Sequence, residues 1–303
     1  IWFNSTSNTF KTVVSSGAWS SSSNYSTGRH SFGSAGTQTA NVIWSGYSTT
    51  MTNLTEEYNG LGWSTSGVIG TSGYGARGFG TQTAAVSAGF FTPGGQQTTV
   101  YEYDGSTWTS VTGLPAGRMA VGTAGILTAG LVFGGSSGPG AVNTTDTTFE
   151  YDGTNWTAGN ALTTGRTYLG GFGIQTAAVG CGGYSGSPAP ATTVASSEEY
   201  DGSSWTAGGD LPAVIARLST SGILTAGLSF GGSAGPGAVA TTNSYDGSSW
   251  TTSPASLAGA TWNGGGSPAG TSTVALSTAG GNPHPAATEE FTVAVAVQTI
   301  TTS

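Results

Sequence analysis

Glu199-Tyr200-Asp201-Gly202-Ser203-Ser204-Trp205 decides the reading of this chain, because near copies of it recur along most of the 303 residues. Glu57-Tyr58-Asn59-Gly60…Trp63, Glu102-Tyr103-Asp104-Gly105…Trp108 and Glu150-Tyr151-Asp152-Gly153…Trp156 come before it. Ser244-Tyr245-Asp246-Gly247…Trp250 follows, without the Glu. Each Tyr stands five residues before its Trp. Trp19 extends the series backwards, and successive Trp residues lie 44, 45, 48, 49 and 45 positions apart. A period of that size with no helical pattern inside it marks a repeat architecture in the range of propeller blades.

A second signature precedes the first in each period. It runs Gly36-Thr37-Gln38-Thr39-Ala40, Gly80-Thr81-Gln82-Thr83-Ala84, Gly125-Ile126-Leu127-Thr128-Ala129, Gly173-Ile174-Gln175-Thr176-Ala177 and Gly222-Ile223-Leu224-Thr225-Ala226. A short apolar run then leads to a Gly pair at 134–135, 182–183, 231–232 and 280–281. Alternating small and β-branched residues bounded by Gly read as strands. Asp-Gly between Tyr and Trp signals a hairpin, and a type I′ turn with positive φ at both central residues is expected there. Each unit thus reads as four antiparallel strands.

A Gly pair, then Tyr, then Trp, once per four-stranded unit, resembles the kelch repeat. The resemblance spans nearly the whole chain, although the Gly pair degenerates to Ser45-Gly46 and Gly89-Phe90 in the first two units. It implies an all-β fold: a six-bladed kelch-like β-propeller of four-stranded antiparallel blades, closed with strands from both chain ends. The sixth unit is degenerate, with Glu290-Phe291 in place of Glu-Tyr. Residues 1–18 are expected to be a lead-in hairpin that contributes to closure, and residues 19–303 the propeller. Closure would leave no free sheet edge. The wording at 199–209 also looks like the low-complexity kelch-like structural and fibre proteins of marine tailed phages, of the cyanophage type. The start, Ile1-Trp2-Phe3-Asn4-Ser5-Thr6 leading to Phe10-Lys11, is similar to the lead-in segments of such proteins.

Composition narrows the function classes. Nine Trp, eleven Tyr and eleven Phe argue for a folded chain despite 53 Gly, since disordered chains lack aromatics. Only 7% of residues are charged, against about a quarter in ordinary domains. Fourteen acids against six bases give a net charge of −8 with no basic cluster. Nucleic acid is therefore not an expected partner, because its phosphates demand a positive footprint. No apolar run of about twenty residues predicts membrane insertion. Cys181 is the single cysteine, so neither an internal disulfide nor a cysteine-built metal site is expected.

Little in the sequence points to catalysis. His30 and His284 are the two histidines and lie in different units without neighbouring Cys or carboxylate clusters, so no metal is expected. The kelch-related enzyme galactose oxidase uses a Tyr cross-linked to Cys, two His and a further Tyr. That pattern is absent, and Cys181 falls at the repeat position of Phe133 and Phe230, as a small core residue. Glu198-Glu199 and Glu289-Glu290 are adjacent on strands and point to opposite faces, which suits them poorly to act on one sugar. No cofactor and no enzyme activity are expected.

Repeated Tyr and Trp residues read as packing between sheets. Arg29, Arg118 and Arg166 share one repeat position, with Arg217 two and Arg77 four residues later. Even shifts keep side chains on one strand face, so the five are expected to project alike. Pairing with the repeated Glu is the favoured reading, and a ring of Arg drawing an anion into a central channel is the other. The connections after the Gly pairs differ in every unit, and variable loops on a rigid scaffold carry recognition. Tyr47, Phe90, Phe91 and Tyr184 in those loops are the candidate ligand-binding residues. The function expected is a non-catalytic phage virion structural or adhesion protein, in the tail, fibre or capsid decoration. Its partners would be other virion proteins or host surface glycans, and its place the virion. A secreted carbohydrate-binding propeller is the alternative, and an enzyme of unknown class a weaker one.

Overall fold

Four-stranded antiparallel sheets of the expected pattern recur along the chain in a computed structural model, which describes residues 2–4, 9–138, 143–186, 192–235, 237–281 and 283–300. The fold is all-β, and no helix occurs among the described residues. The first sheet runs Gly33–Gly36, Asn41–Trp44, Thr55–Tyr58, Trp63–Ser66. The next three repeat it: Arg77–Thr81, Ala84–Ala88, Val100–Tyr103 and Trp108–Val111; Gly122–Ile126, Ala129–Phe133, Thr148–Tyr151 and Trp156–Gly159; Gly170–Ile174, Ala177–Cys181, Ser197–Tyr200 and Trp205–Ala207. The fifth has Ser219–Ile223, Ala226–Phe230, Gly237–Tyr245 and Trp250–Thr261, with Ser233–Ala234 added on the Gly237 strand.

The two chain ends share the sixth sheet. Val274–Thr278 pairs with Thr288–Ile300, and Thr9–Ser22 adds outside it, placing Trp19 opposite Phe291. Trp2–Asn4 adds the outermost strand, opposite Thr9 to Lys11. The N-terminal segment therefore supplies the Trp-bearing strand that the last unit lacks. On the inner side, Gly265 bridges Thr278, and Ser267 bridges Ser221 of the fifth sheet.

The Tyr–Trp hairpins form, but with a different turn. Tyr103 pairs with Trp108 across four loop residues, and only Gly105 of the Asp-Gly pair has positive φ. A type I′ turn would need both. The Asp side chain decides the shape instead: Asp104 Oδ1 accepts the amides of Ser106 (2.8 Å) and Thr107 (2.7 Å). Asp152, Asp201 and Asp246 do the same. Such Asx turns satisfy loop amides locally, and these bonds hold all four exposed carboxyls below the usual carboxylate range.

Neighbouring sheets meet through the repeated aromatics. Each Tyr hydroxyl donates to the Glu of the preceding unit: Tyr103 to Glu57 (2.5 Å), Tyr151 to Glu102 (2.6 Å), Tyr200 to Glu150, Tyr245 to Glu199 and Tyr58 to Glu290. The indole N–H groups reach the same neighbours, as in Trp108 to Thr55 (2.9 Å), Trp205 to Thr148 (2.9 Å) and Trp63 to Thr288 (3.0 Å). Trp156 finds Val100 at the equivalent place and donates to the Thr112 carbonyl instead. Glycine makes close approach feasible: a Cβ on Gly130 would fall 2.1 Å from the Phe79 ring of the preceding sheet.

Burial, and then the bond to Glu57, pushes the Tyr103 hydroxyl up to about 12. The other four joint tyrosines are raised from the same causes. A raised folded pKa favours the protonated fold, so for Tyr103 this stabilisation is complete below pH about 10 and is lost as pH rises through about 12. In an alkaline titration the five joint tyrosines should ionise only as circular dichroism reports unfolding. Their tyrosinate absorbance appearing near pH 10 in an intact fold would contradict the joint.

Candidate functional site

Just ahead of the inner strands, Ser31, Gly75, Ala120, Tyr168, Arg217 and Asn263 each adopt a left-handed backbone, with φ between 53° and 73°. Their main chains bond in sequence. Gly75 N donates to Ser31 O (2.6 Å), Ala120 to Gly75 (3.0 Å), Tyr168 to Ala120 (2.8 Å), Arg217 to Tyr168 (2.8 Å) and Asn263 to Arg217 (2.9 Å). Ser31 N donates to Asn263 O (2.7 Å), and the six bonds close into a circle. Left-handed φ costs about 1–2 kcal/mol for a residue with a side chain. Tyr168 and Arg217 are the two large residues that accept that cost in this circle.

The neighbours of this circle bring the variable loops to it. His30 bridges Tyr47, Tyr74 bridges Phe91, Met119 bridges Ser136, and Thr167 pairs with Tyr184. The residue before each of the first five circle positions therefore lies beside the first residue after the Gly-pair position. The result is a belt of half-buried rings. Ring centroids are 5.2 Å apart for Tyr74 and Phe91, 6.1 Å for Tyr47 and Tyr74, 5.7 Å for His30 and Tyr47, and 5.6 Å for His30 and Trp262. Arg217 continues it, its guanidinium 4.8 Å from Trp262, 5.1 Å from Tyr168 and 5.4 Å from Tyr184. Tyr168 and Tyr184 pack with Met119, Tyr74 and Phe91 in one cluster, which joins the two ends of the belt.

Three of the four candidate loop residues, Tyr47, Phe91 and Tyr184, belong to this belt. Phe90 does not. It takes the place of the second Gly of the pair, is 2% exposed, and packs in the core near Tyr101. Of the connections after the Gly pairs, residues 139–142 and 187–191 lie outside the described residues. His30, Tyr74, Tyr168 and Trp262 were not singled out as site residues from sequence; His30, Tyr74 and Trp262 stand three residues ahead of Gly33, Arg77 and Gly265, and Tyr168 stands two ahead of Gly170. His284 comes beside His30, with ring centroids at 5.0 Å. Burial, then His284 and Arg217, lowers His30 to about 4, so it is neutral at pH 7.

The five arginines do not project alike. Arg29 pairs with Glu56 (2.5 Å) and Arg166 with Glu198 (2.6 Å), all four side chains buried. These Glu residues precede the repeated Glu, which is occupied by the Tyr hydroxyl of the next unit. Arg118 meets Phe149 at that position, with its guanidinium 5.0 Å from the ring, and donates to Thr145. Arg217 stays at the belt, while Arg77 lies in an inner strand and lines a central cavity of about 40 Å³. The left-handed residue between the two sets breaks the strand alternation on which the even-shift argument rested. Cys181 is buried opposite Gly170, as Phe133 is opposite Gly122, and burial pushes its thiol up to about 12.

Compared with known protein families and with curated proteins, the chain matches none. The site therefore rests on its own geometry.

Breaking one buried ion pair should be costly, because the remaining charge stays desolvated. Glu198→Gln is expected to lower stability by about 3–5 kcal/mol in urea unfolding, whereas Arg166→Met with Glu198→Leu should recover most of that loss. Equal stability of Glu198→Gln and wild type would show that the pair contributes little.

Proposed function

We propose that the chain is a six-bladed kelch-like β-propeller that acts as a non-catalytic adhesion module, contacting surface glycans through its aromatic belt. Three features support the propeller reading: the closed circle of six main-chain hydrogen bonds, the Tyr–Glu joints between successive sheets, and a last sheet shared by both chain ends. The belt carries the recognition reading. Rings that are half-buried around one rim present flat apolar faces with polar tips, the chemistry that stacks on sugar rings. Concave sites lined by aromatics with a few polar groups are where ligands bind. The opposite rim holds the Asx turns and the Gly-Thr-Gln-Thr type turns, Thr83 packing on Gly105, and it varies little between units.

The leading setting is the virion of a tailed phage, where the module would face the host surface or neighbouring virion proteins. A secreted carbohydrate-binding propeller would use the same rim. Mass spectrometry of purified marine phage particles separates the two settings: stoichiometric peptides spanning 151–156 or 200–205 place the protein on the particle. Recovery only from the medium selects the secreted form.

A polysaccharide array tests the rim. Wild type should bind a subset of surface polysaccharides, and Tyr47→Ala, Phe91→Ala and Trp262→Ala should each weaken that binding about tenfold or more, as central aromatic anchors do. Phe90→Ala should lower thermal stability and leave the pattern of bound glycans as it is. Wild type binding no polysaccharide, with its fold intact, would overturn the recognition reading.

A further inference from the structure

We propose that the belt takes a carboxylate-bearing saccharide, with the sugar ring on the aromatic rim and its carboxylate held by Arg217 and Arg77 at the head of the central cavity. This rests on the glycan-recognition reading and specifies its ligand.

The first observation is positional. Two residues past the circle, the other five units place Gly33, Gly122, Gly170, Ser219 and Gly265, each opposite the end of a second strand. Those small residues are what inner strands converging on one cavity accommodate. Arg77 is the single exception, opposite Ala88. Its partner Ala88 is small where the partners of those Gly and Ser residues include Trp44, Phe133 and Phe230, so size is exchanged across the pair, and the exchange brings a charged group to the cavity lining. Arg77 Nη1 donates to the Phe32 and Ala76 carbonyls, which orients the group without neutralising it.

Charge distribution is the second observation. Among the described residues, Arg77, Arg118 and Arg217 have no salt-bridge partner, whereas Arg29 and Arg166 each have one; Arg118 is taken up by Phe149 and Thr145. Most of the fourteen acids are committed elsewhere. Glu57, Glu102, Glu150, Glu199 and Glu290 accept the joint tyrosines. Asp104, Asp152, Asp201 and Asp246 cap turns on the opposite rim. A chain of net charge −8 thus keeps two cations without an acid partner near one cavity, which Arg77 and Leu218, the residue after Arg217, both line. Isolated cations in desolvated surroundings are costly unless paired.

The third observation concerns hydrogen bonding and space. Arg217 Nε, on the circle, is buried without a hydrogen-bond partner among the described residues, as are the Nε atoms of Arg29, Arg118 and Arg166 away from it. The cavity lining starts one residue past the circle, at Val121, Leu169 and Leu218, and includes Arg77, Thr123 and Thr220. Its volume of about 40 Å³ suits one to three waters, or a carboxylate in their place, and excludes a whole sugar. The sugar ring must then remain outside, at the level of Tyr47, Tyr184 and Trp262. Planar guanidinium groups match carboxylates through paired N–H donors.

Titration calorimetry on the full chain tests this with two acid and neutral pairs: oligogalacturonate against its methyl ester, and sialyllactose against lactose. At least one acid should bind tenfold or more tightly than its neutral counterpart. Arg217→Asn and Arg77→Ser, which install residue types found at equivalent places in other units, should each remove that preference. Their thermal unfolding should stay near wild type, and if Arg77→Ser unfolds, Arg217→Asn alone decides. Equal affinity for acid and neutral partner, or inorganic phosphate binding as tightly as the acidic sugars, would overturn the carboxylate assignment. If neither pair binds while polysaccharides on the array do, the assignment fails and glycan recognition stands. If nothing binds in either experiment, recognition itself fails.

Discussion

Adjacent sheets are held together by a hydrogen bond that each side chain makes with a different unit: a Tyr hydroxyl donated to the Glu of the unit before it. The stacked or tilted Trp of the same hairpin covers it, with Tyr–Trp centroids between 4.6 and 5.1 Å. An unmade hydrogen bond at such a half-buried place costs more than the bond contributes when made. That asymmetry explains the joint between the fifth and sixth sheets. There Ser244 replaces the Glu, and Phe291 replaces the Tyr. Both partners are missing together, so neither is left unsatisfied, and Trp19 packs on Phe291 and Phe230 at 5.2 and 4.9 Å.

Joints of this kind fix the sheets at their outer parts and force the inner strands together. Thr123 and Thr220 hydroxyls donate to the Gly78 and Gly171 carbonyls of the preceding sheets, both at 2.7 Å, and Gly266 N donates to Ser34 across the chain ends. Crowding there admits mostly Gly, Ala and Ser. Large residues in such a setting stand out: Tyr168 and Arg217 with left-handed backbones, and Arg77 among glycines. Backbone strain of this kind persists only where the surrounding structure over-determines it, and here the circle of main-chain hydrogen bonds does so.

Arginine use illustrates how one repeat position takes different chemistry from its surroundings. Arg29 and Arg166 sit opposite a Glu and form buried ion pairs. Arg118 sits opposite Phe149 and stacks on it. The partner residue, one place before the repeated Glu, decides which. The same logic separates Phe91 from Phe90: adjacent residues of one loop, one on the rim and one in the core beside Tyr101.

The repeat itself was legible in the residues. Tyr and Trp five apart at intervals of 44 to 49 carry strand, hairpin and sheet-to-sheet packing, because each is a local pattern or a demand that every unit makes alike. Cys181 as a core residue follows from the same register. What only the tertiary structure decided depends on contacts between units. The Asp side chain chose the turn over type I′, and left-handed residues sent Arg77 and Arg217 away from the other arginines. The N-terminal strand, not the C-terminal one, completed the sixth sheet. His30, Tyr47, Tyr74, Phe91, Tyr184 and Trp262 are up to 232 positions apart and share no motif. They meet because hydrogen bonds between successive units close a circle, and closure is a property of the whole chain that no single segment encodes.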